Sequence, residues 1–354
     1  MKVAIIGGGI MGCDCAEALA ARGIDVTLLE RAIPGAEASS AAAGILGAQV
    51  ESHVAPELRA MFVEARALHA SWAESLRERT GIDVGYRKTG VLQLAFDEAS
   101  ATSLADEVRA HVSQGLSAQL LGAADLASVE PEVSRAAVAA AHYPDDAQVD
   151  PRALLRALIV AIARAGVTQR SGTLVRSLVL EGGACRGVVL DDGPLVADAV
   201  VLAAGSWSSL VPGIPESLPK VTPARGQIVL LEERPPLVRH IVFGPTGYVV
   251  PRGDGRVLCG STLEHVGFHN EVTAGGMSRI LSRSIELVPR LASAAFADAW
   301  ASFRPQSASG RPLIGASPVP GLFVATGHGR NGILLAKLSA NLVADAVCAA
   351  PKTA

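Results

Sequence analysis

The chain has 354 residues, 49% of them hydrophobic and 18% charged, and a formal net charge of −3. That length can bury a sizeable core and suggests two or three domains. A near-neutral balance without any run of basic residues excludes a polyanion-binding surface, so no nucleic acid is expected as a partner.

Five cysteines, Cys13, Cys15, Cys185, Cys259 and Cys348, are odd in number and scattered. No disulfide framework is expected, and a reducing compartment fits. Cys13-x-Cys15 is not a zinc spacing; both thiols are expected to pack a helix. A signal peptide needs a basic start, an apolar run and a small-residue cleavage site. Here a glycine cluster follows Val3–Ile6 at once. No apolar stretch is read as reaching the ~18–20 residues that span a bilayer. The expectation is a cytoplasmic protein with no membrane span.

The first element is Lys2–Ile6, a β-branched run that predicts a strand buried on both faces. Gly7-Gly8-Gly9-Ile10-Met11-Gly12 follows, then a helix from Cys13 to Arg22 and a second strand, Val26–Leu29, closed by Glu30. Gly7, Gly9 and Gly12 fit the dinucleotide fingerprint: a tight turn, room for pyrophosphate, and close packing of helix on strand. The helix N-terminus offers N–H groups and a positive dipole to phosphates. Glu30 stands where a carboxylate can bond an adenosine ribose.

Further along, Asp150-Pro151 predicts a helix start leading into Arg152–Ala165, with Pro at the first helical position. Val200–Ala203 predicts another buried strand, turning at Ala204-Gly205-Ser206-Trp207. The apolar runs Val91–Phe96, Gln227–Leu231, Gly247–Val250 and Val257–Cys259 are short and separated by polar or Gly/Pro turns, as in an antiparallel sheet. Near the end, Gly321–Thr326 predicts a strand, Gly327-His328-Gly329-Arg330-Asn331-Gly332 a turn, and Ile333–Val347 a helix. This second Gly-x-Gly-x-x-Gly has no acid-tipped strand after it before Ala354. It is read as a unit whose helix N-terminus faces negative charge, such as that of a reduced flavin. One complete fingerprint implies one dinucleotide, and FAD carries its own redox centre.

At these residues the chain resembles the D-amino acid oxidase-like FAD family, and within it the glycine oxidases of thiazole biosynthesis. The resemblance runs nearly end to end. It rests on Ser39–Ala48, Gly247–Arg252, Phe303-Arg304-Pro305 and Gly327–Leu334. It implies an α/β fold: a discontinuous FAD-binding Rossmann-like domain of residues 1–84, 150–219 and 300–354, plus an antiparallel-sheet α+β substrate domain of residues 85–149 and 220–299. It implies cofactor contacts at Gly7, Gly9, Ile10, Met11, Gly12, Glu30 and Arg31. Ser39, Ser40, Ala43, Gly44, Ile45 and Leu46 would lie along the cofactor, with serine hydroxyls near phosphate. Val175 and Gly205 join them, and so do His328, Gly329, Arg330, Asn331, Gly332, Ile333 and Leu334. No cysteine lies in the last turn, so the FAD is expected to be noncovalent.

The resemblance also implies the chemistry. Arg304 matches a bidentate clamp on a substrate carboxylate. Tyr248 matches a tyrosine whose hydroxyl reaches the same group, and Arg330 an arginine framing the substrate beside the flavin. The implied reaction takes hydride from the α-carbon of a small amino acid to flavin N5, with oxygen as the final acceptor. Two alternatives stay open: a D-amino acid dehydrogenase passing electrons to a quinone or carrier, and a non-catalytic FAD-binding redox protein. Three positions depart from the family pattern. Thr246 stands where a His can occur, Leu263 where a Met can occur, and Lys337 in place of a Pro. His265 and His269 lack a third ligand and are expected to be solvent-exposed, with no metal. A homo-oligomer is left open.

Overall fold

The computed structural model describes residues 1–51 and 55–350. Residues 52–54 and 351–354, which fall within the expected FAD-binding segments, lie outside the described residues.

Two sheets organise the chain. The first has six strands, in the order Leu313–Ala316, Leu322–Thr326, Ala199–Leu202, Lys2–Ile6, Asp25–Leu29 and Thr168–Arg170. All its pairs are parallel except Leu313–Ala316 with Leu322–Thr326. The central strand Lys2–Ile6 is buried beyond its first residue because helices or a second sheet cover both faces. One face carries the helices Ile10–Ala20, Pro56–Thr80, Pro151–Arg164 and Gly332–Ala349, whose apolar sides form one core with the strands. On the other lies a three-stranded antiparallel sheet, Ser177–Glu181, Ala184–Leu190 and Gly193–Val196. Asp150 caps the helix Pro151–Arg164, accepting from the Arg152 and Ala153 N–H groups, as its sequence position predicts.

The second sheet has eight strands. It runs Ala295–Ser307, Val221–Glu232, Arg256–Gly260, Tyr248–Pro251, Ile241–Phe243, Val91–Ala95, Ala139–Tyr143 and Gln119–Gly122. The antiparallel expectation needs one correction: Ile241–Phe243 pairs with Val91–Ala95 in parallel. That pair joins two stretches distant in sequence, so no hairpin fixes its direction. Ala295–Ser307 runs unbroken through residue 300 and pairs along its length with Val221–Glu232.

The segment that the resemblance lays along the cofactor begins with a short helix, Ala38–Ala41. One further expectation is revised. The segment Gly329–Ala349 is, by length and composition, apolar enough to cross a bilayer. In the fold it is mostly a core helix, with Ile333 to Ala336 and Val343 among its buried residues. Lys337 interrupts its apolar run. The Lys337 ammonium lies 3.2 Å from Asp14 Oδ1 and 3.0 Å from Glu17 Oε2, tying this helix to Ile10–Ala20. Asp14 is fully buried, and burial pushes its carboxyl up to about 7 despite the Lys337 charge. Arg79 from the long helix completes the cluster on Glu17.

His69 on the long helix is 1% exposed, and its Nε2 lies 2.9 Å from the Leu334 carbonyl oxygen. Burial pushes its pKa down to about 4. The unfolded chain therefore takes up the proton first as pH falls. Stability from this group is whole above about pH 6.5 and is lost as pH drops toward 4. Thermal melting between pH 7.5 and 4.5 should show His69→Gln losing less stability on acidification than the parent. Identical pH slopes would mean that His69 does not titrate differently in the two states.

Candidate active site

One cavity of ≈ 850 Å³ lies between the two sheets, lined from Glu30 and Val175 at one end to Tyr248 and Arg304 at the other. That volume is within the ~300–1,000 Å³ of cofactor and ligand sites. It opens beyond the carboxyl ends of the parallel strands, where Lys2–Ile6 sits between strands that follow it in sequence on either side.

The dinucleotide end is built by backbone lying on backbone. Gly7 has φ +106°, and a Cβ there would come within 2.5 Å of the Ala203 oxygen. A Cβ on Gly12 would stand 1.8 Å from the Gly7 oxygen, so the helix can meet the turn only through glycine. The helix Ile10–Ala20 begins at Gly9 with no acidic residue in its first turn, which keeps its positive end available to an anion. One of its free donors is already used: Ile10 N–H donates to Ser39 Oγ at 2.9 Å. Glu30 is held by the Gly8 N–H at 2.7 Å and the Ala32 N–H at 2.9 Å, and it lines the cavity with Arg31. This glycine-lined cradle, unobstructed helix end and acid-tipped strand suit the pyrophosphate and ribose of FAD.

Most of the residues singled out from the sequence line this cavity, but Gly12, Ser40, Leu46 and Leu334 do not. Gly12 is turned into the helix–strand contact, and Leu46 and Leu334 are core residues. The Ser40 hydroxyl donates to the Gly35 oxygen at 2.6 Å, within its own turn. Sequence reasoning missed Glu51, Phe243 and Ser261, which carry no motif, and it treated Trp207 only as part of a turn. The Arg31 guanidinium sits 3.9 Å over the Trp207 ring, which stacks on Phe268 at 5.1 Å. Cys13, Cys15, Cys185, Cys259 and Cys348 all lie off the cavity lining. Burial pushes the Cys13 thiol up to about 12. His265 and His269 are exposed.

The other end rests on the eight-stranded sheet. Arg304 projects from Ala295–Ser307 over Gly226 on the neighbouring strand; a Cβ at Gly226 would be 2.2 Å from the Arg304 Nη1. Tyr248 leans likewise over Gly260, its register partner. Two bare glycines thus leave a flat floor on which guanidinium and phenol lie. Arg304 Nη1 donates to the Thr262 oxygen at 3.0 Å, and Nη2 donates to Ser261 Oγ at 2.7 Å. Both acceptors are neutral, and among the described residues no carboxylate forms an ion pair with Arg304. Burial lowers its pKa, the Tyr248 side chain raises it, Arg330 lowers it and Glu51 raises it. Arg330 differs: its side chain is 56% exposed and it pairs with Glu51 at 2.9 Å. Asp146, fully buried and paired with Arg66, accepts from the Gln49 and Val50 N–H groups and so fixes the approach to Glu51.

The family model for FAD-dependent oxidoreductases matches residues 2–346. The glycine oxidase of Geobacillus kaustophilus is 38% identical over 350 residues, covering 98% of this chain and 92% of that protein. Its likeness extends to structure: a crystal structure of glycine oxidase from G. kaustophilus superposes with a TM-score of 0.94 at 36% identity, covering 99% of this chain and 95% of the other. The bifunctional protein ThiO/ThiG of a Nostoc species is 34% identical over 98% of this chain, which spans 52% of that longer protein. The chain belongs to the FAD-dependent oxidoreductase family and is an FAD-dependent amino acid oxidase.

Proposed function

We propose that the chain oxidises glycine, and with it sarcosine or small D-amino acids, to an imine that water hydrolyses to the 2-oxo acid and ammonia (methylamine from sarcosine), while oxygen becomes hydrogen peroxide. The observation that carries this reading is Arg304. A partly buried guanidinium bonded only to neutral acceptors is incompletely compensated, and a substrate carboxylate would complete it. Bound FAD supplies the hydride acceptor. Tyr248 directs its hydroxyl to the same carboxylate. With the carboxylate pinned at two points, the α-carbon has little freedom, and orientation is the main catalytic device. Glu51 neutralises much of Arg330, which leaves Arg304 as the stronger anion site and Arg330 as a flank of the pocket. The glycine-rich start of the C-terminal helix, also without acidic residues in its first turn, favours negative charge on the cofactor side. Residues 1–84, 150–219 and 300–354 would serve the cofactor, and 85–149 and 220–299 the substrate, with Ala295–Ser307 as the shared wall. The likeness to ThiO/ThiG supports a role in thiamine biosynthesis.

Anaerobic mixing with glycine, sarcosine, D-alanine or D-proline should bleach the flavin, and air should restore its colour with formation of peroxide. Restoration only by an added quinone or dye would select the dehydrogenase reading instead. Denaturation should release free FAD into the supernatant; colour retained by the precipitated chain would overturn the noncovalent reading.

Replacing Arg304 with Leu should raise KM about 30-fold or more while FAD content stays intact. The loss of a charge-assisted buried contact costs roughly 2–5 kcal/mol, and each ~1.4 kcal/mol is tenfold. Arg304→Lys keeps charge but not the fork, so a large defect should remain. Near-normal steady-state kinetics in the Leu variant would place the carboxylate elsewhere, with Arg330 as the next residue to change.

A further inference from the structure

We propose that Arg252 is a positioning residue for the cofactor: it turns the Ala43–Gly44 peptide so that the Gly44 N–H, with the Ile45 N–H beside it, faces the cavity. The inference rests on the chain being an FAD enzyme, and it does not depend on which amino acid is oxidised.

Arg252 ends the segment Gly247–Arg252, is 6% exposed, and lies off the cavity lining. Its Nη2 donates to the Ala43 oxygen at 2.7 Å, and its Nη1 donates to Gln148 Oε1. Gln148, fully buried, is fixed in turn by donating from Nε2 to the Pro251 oxygen at 3.0 Å. A trans peptide is planar, so a carbonyl pulled one way points the next residue's N–H the other way. The Ala43 carbonyl is drawn away from the cavity, and the Gly44 N–H is thereby aimed toward it. The next peptide repeats the arrangement, because the Val149 N–H donates to the Gly44 oxygen at 2.9 Å.

The short ladder agrees. Ile45 stands opposite Gln148, and the bond from Val149 to Gly44 makes this the kind of antiparallel pair whose own polar groups point apart. Gln148 directs its backbone N–H and C=O to Arg87, on the side away from Ile45. The Ile45 N–H points the opposite way, into the cavity that Ala43, Gly44 and Ile45 line. Gly44 is required by the bend: its φ is +76°, and a Cβ would stand 2.1 Å from the Val149 oxygen. The helical residues just before are held from behind as well. Arg152 Nε donates to the Ser40 oxygen at 3.2 Å and Trp300 Nε1 to the Ala41 oxygen at 2.9 Å. Burial lowers the pKa of Arg252 to about 10, with Asp150 partly offsetting that effect. A guanidinium is thus kept in the interior to hold one neutral carbonyl and one amide in place.

Preorganised N–H donors stabilise an electron-rich acceptor more than a neutral one. Removing their support should therefore weaken FAD binding and make the bound flavin harder to reduce. The test compares holoenzymes of the parent, Arg252→Met and Arg252→Lys, with Trp300→Phe as a milder variant on the same segment. The readouts are the FAD dissociation constant, the visible absorption spectrum and the two-electron potential from a chemical reductant, none of which involves an amino acid. Arg252→Met should bind FAD about tenfold more weakly, consistent with loss of one hydrogen bond to a charged donor. Its absorption maxima should shift, and its potential should fall by about 30 mV, the two-electron equivalent of a factor of ten. Arg252→Lys should recover part of each change, and Trp300→Phe should move them in the same direction by less. If Arg252→Met yields no folded holoenzyme, Arg252→Lys carries the comparison. A folded Met or Lys variant with parental affinity, spectrum and potential would overturn the proposal and leave Arg252 as a packing residue.

Discussion

A guanidinium withdrawn from water must recover its lost hydration through hydrogen bonds or an opposing charge. Arg304 recovers part of it, from the Ser261 hydroxyl and the Thr262 carbonyl, and among the described residues no carboxylate forms an ion pair with it. The architecture around it maintains that condition. The eight-stranded sheet provides a rigid floor, and Gly226 and Gly260 keep the floor flat beneath Arg304 and Tyr248. Glu51 is directed to Arg330 by a segment that Asp146 and Arg66 hold, so its ion pair forms there while its charge still reaches Arg304.

The cofactor end follows a different principle. Its cradle is formed by backbone groups brought unusually close. The contact of Gly12 with the Gly7 oxygen sets the helix on the strand, and the Ser39 hydroxyl ties a separate segment to the first donor of that helix. The segment Ser39–Ile45 thereby joins the two: its start touches the dinucleotide helix, and its finish lines the same cavity. Arg152, Trp300, Arg252 and Val149 each grip one of its carbonyls from outside the cavity.

Electrostatic balance extends behind the site. Lys337 is the one basic residue in the C-terminal helix, and it meets Asp14 and Glu17 one turn and more into the dinucleotide helix. A buried pair of this kind costs desolvation that its attraction only partly returns, yet breaking it by removing one partner typically costs ~3–5 kcal/mol. It therefore fixes which turns of the two helices face each other, and so the relation between the two glycine-rich helix starts.

Some of this was determined by the sequence alone. The unit Lys2 to Glu30 is local: strand, turn, helix and acid follow one another within a span where hydrophobic period and glycine placement decide the outcome. The capped helix at Asp150-Pro151 is legible for the same reason. Arg304, Tyr248 and Arg330 could be singled out only through resemblance, since an isolated arginine or tyrosine has no period or spacing to read. The tertiary structure decided what depends on contact between distant segments. It set the parallel pairing of Ile241–Phe243 with Val91–Ala95, the glycines under Arg304 and Tyr248, the pairing of Glu51 with Arg330, and the hold of Arg252 on Ala43. It also decided that the apolar helix Gly332–Ala349 packs within the core. Length and composition permit either environment, and only the neighbouring helices, with acids placed to meet Lys337, settle which one it has.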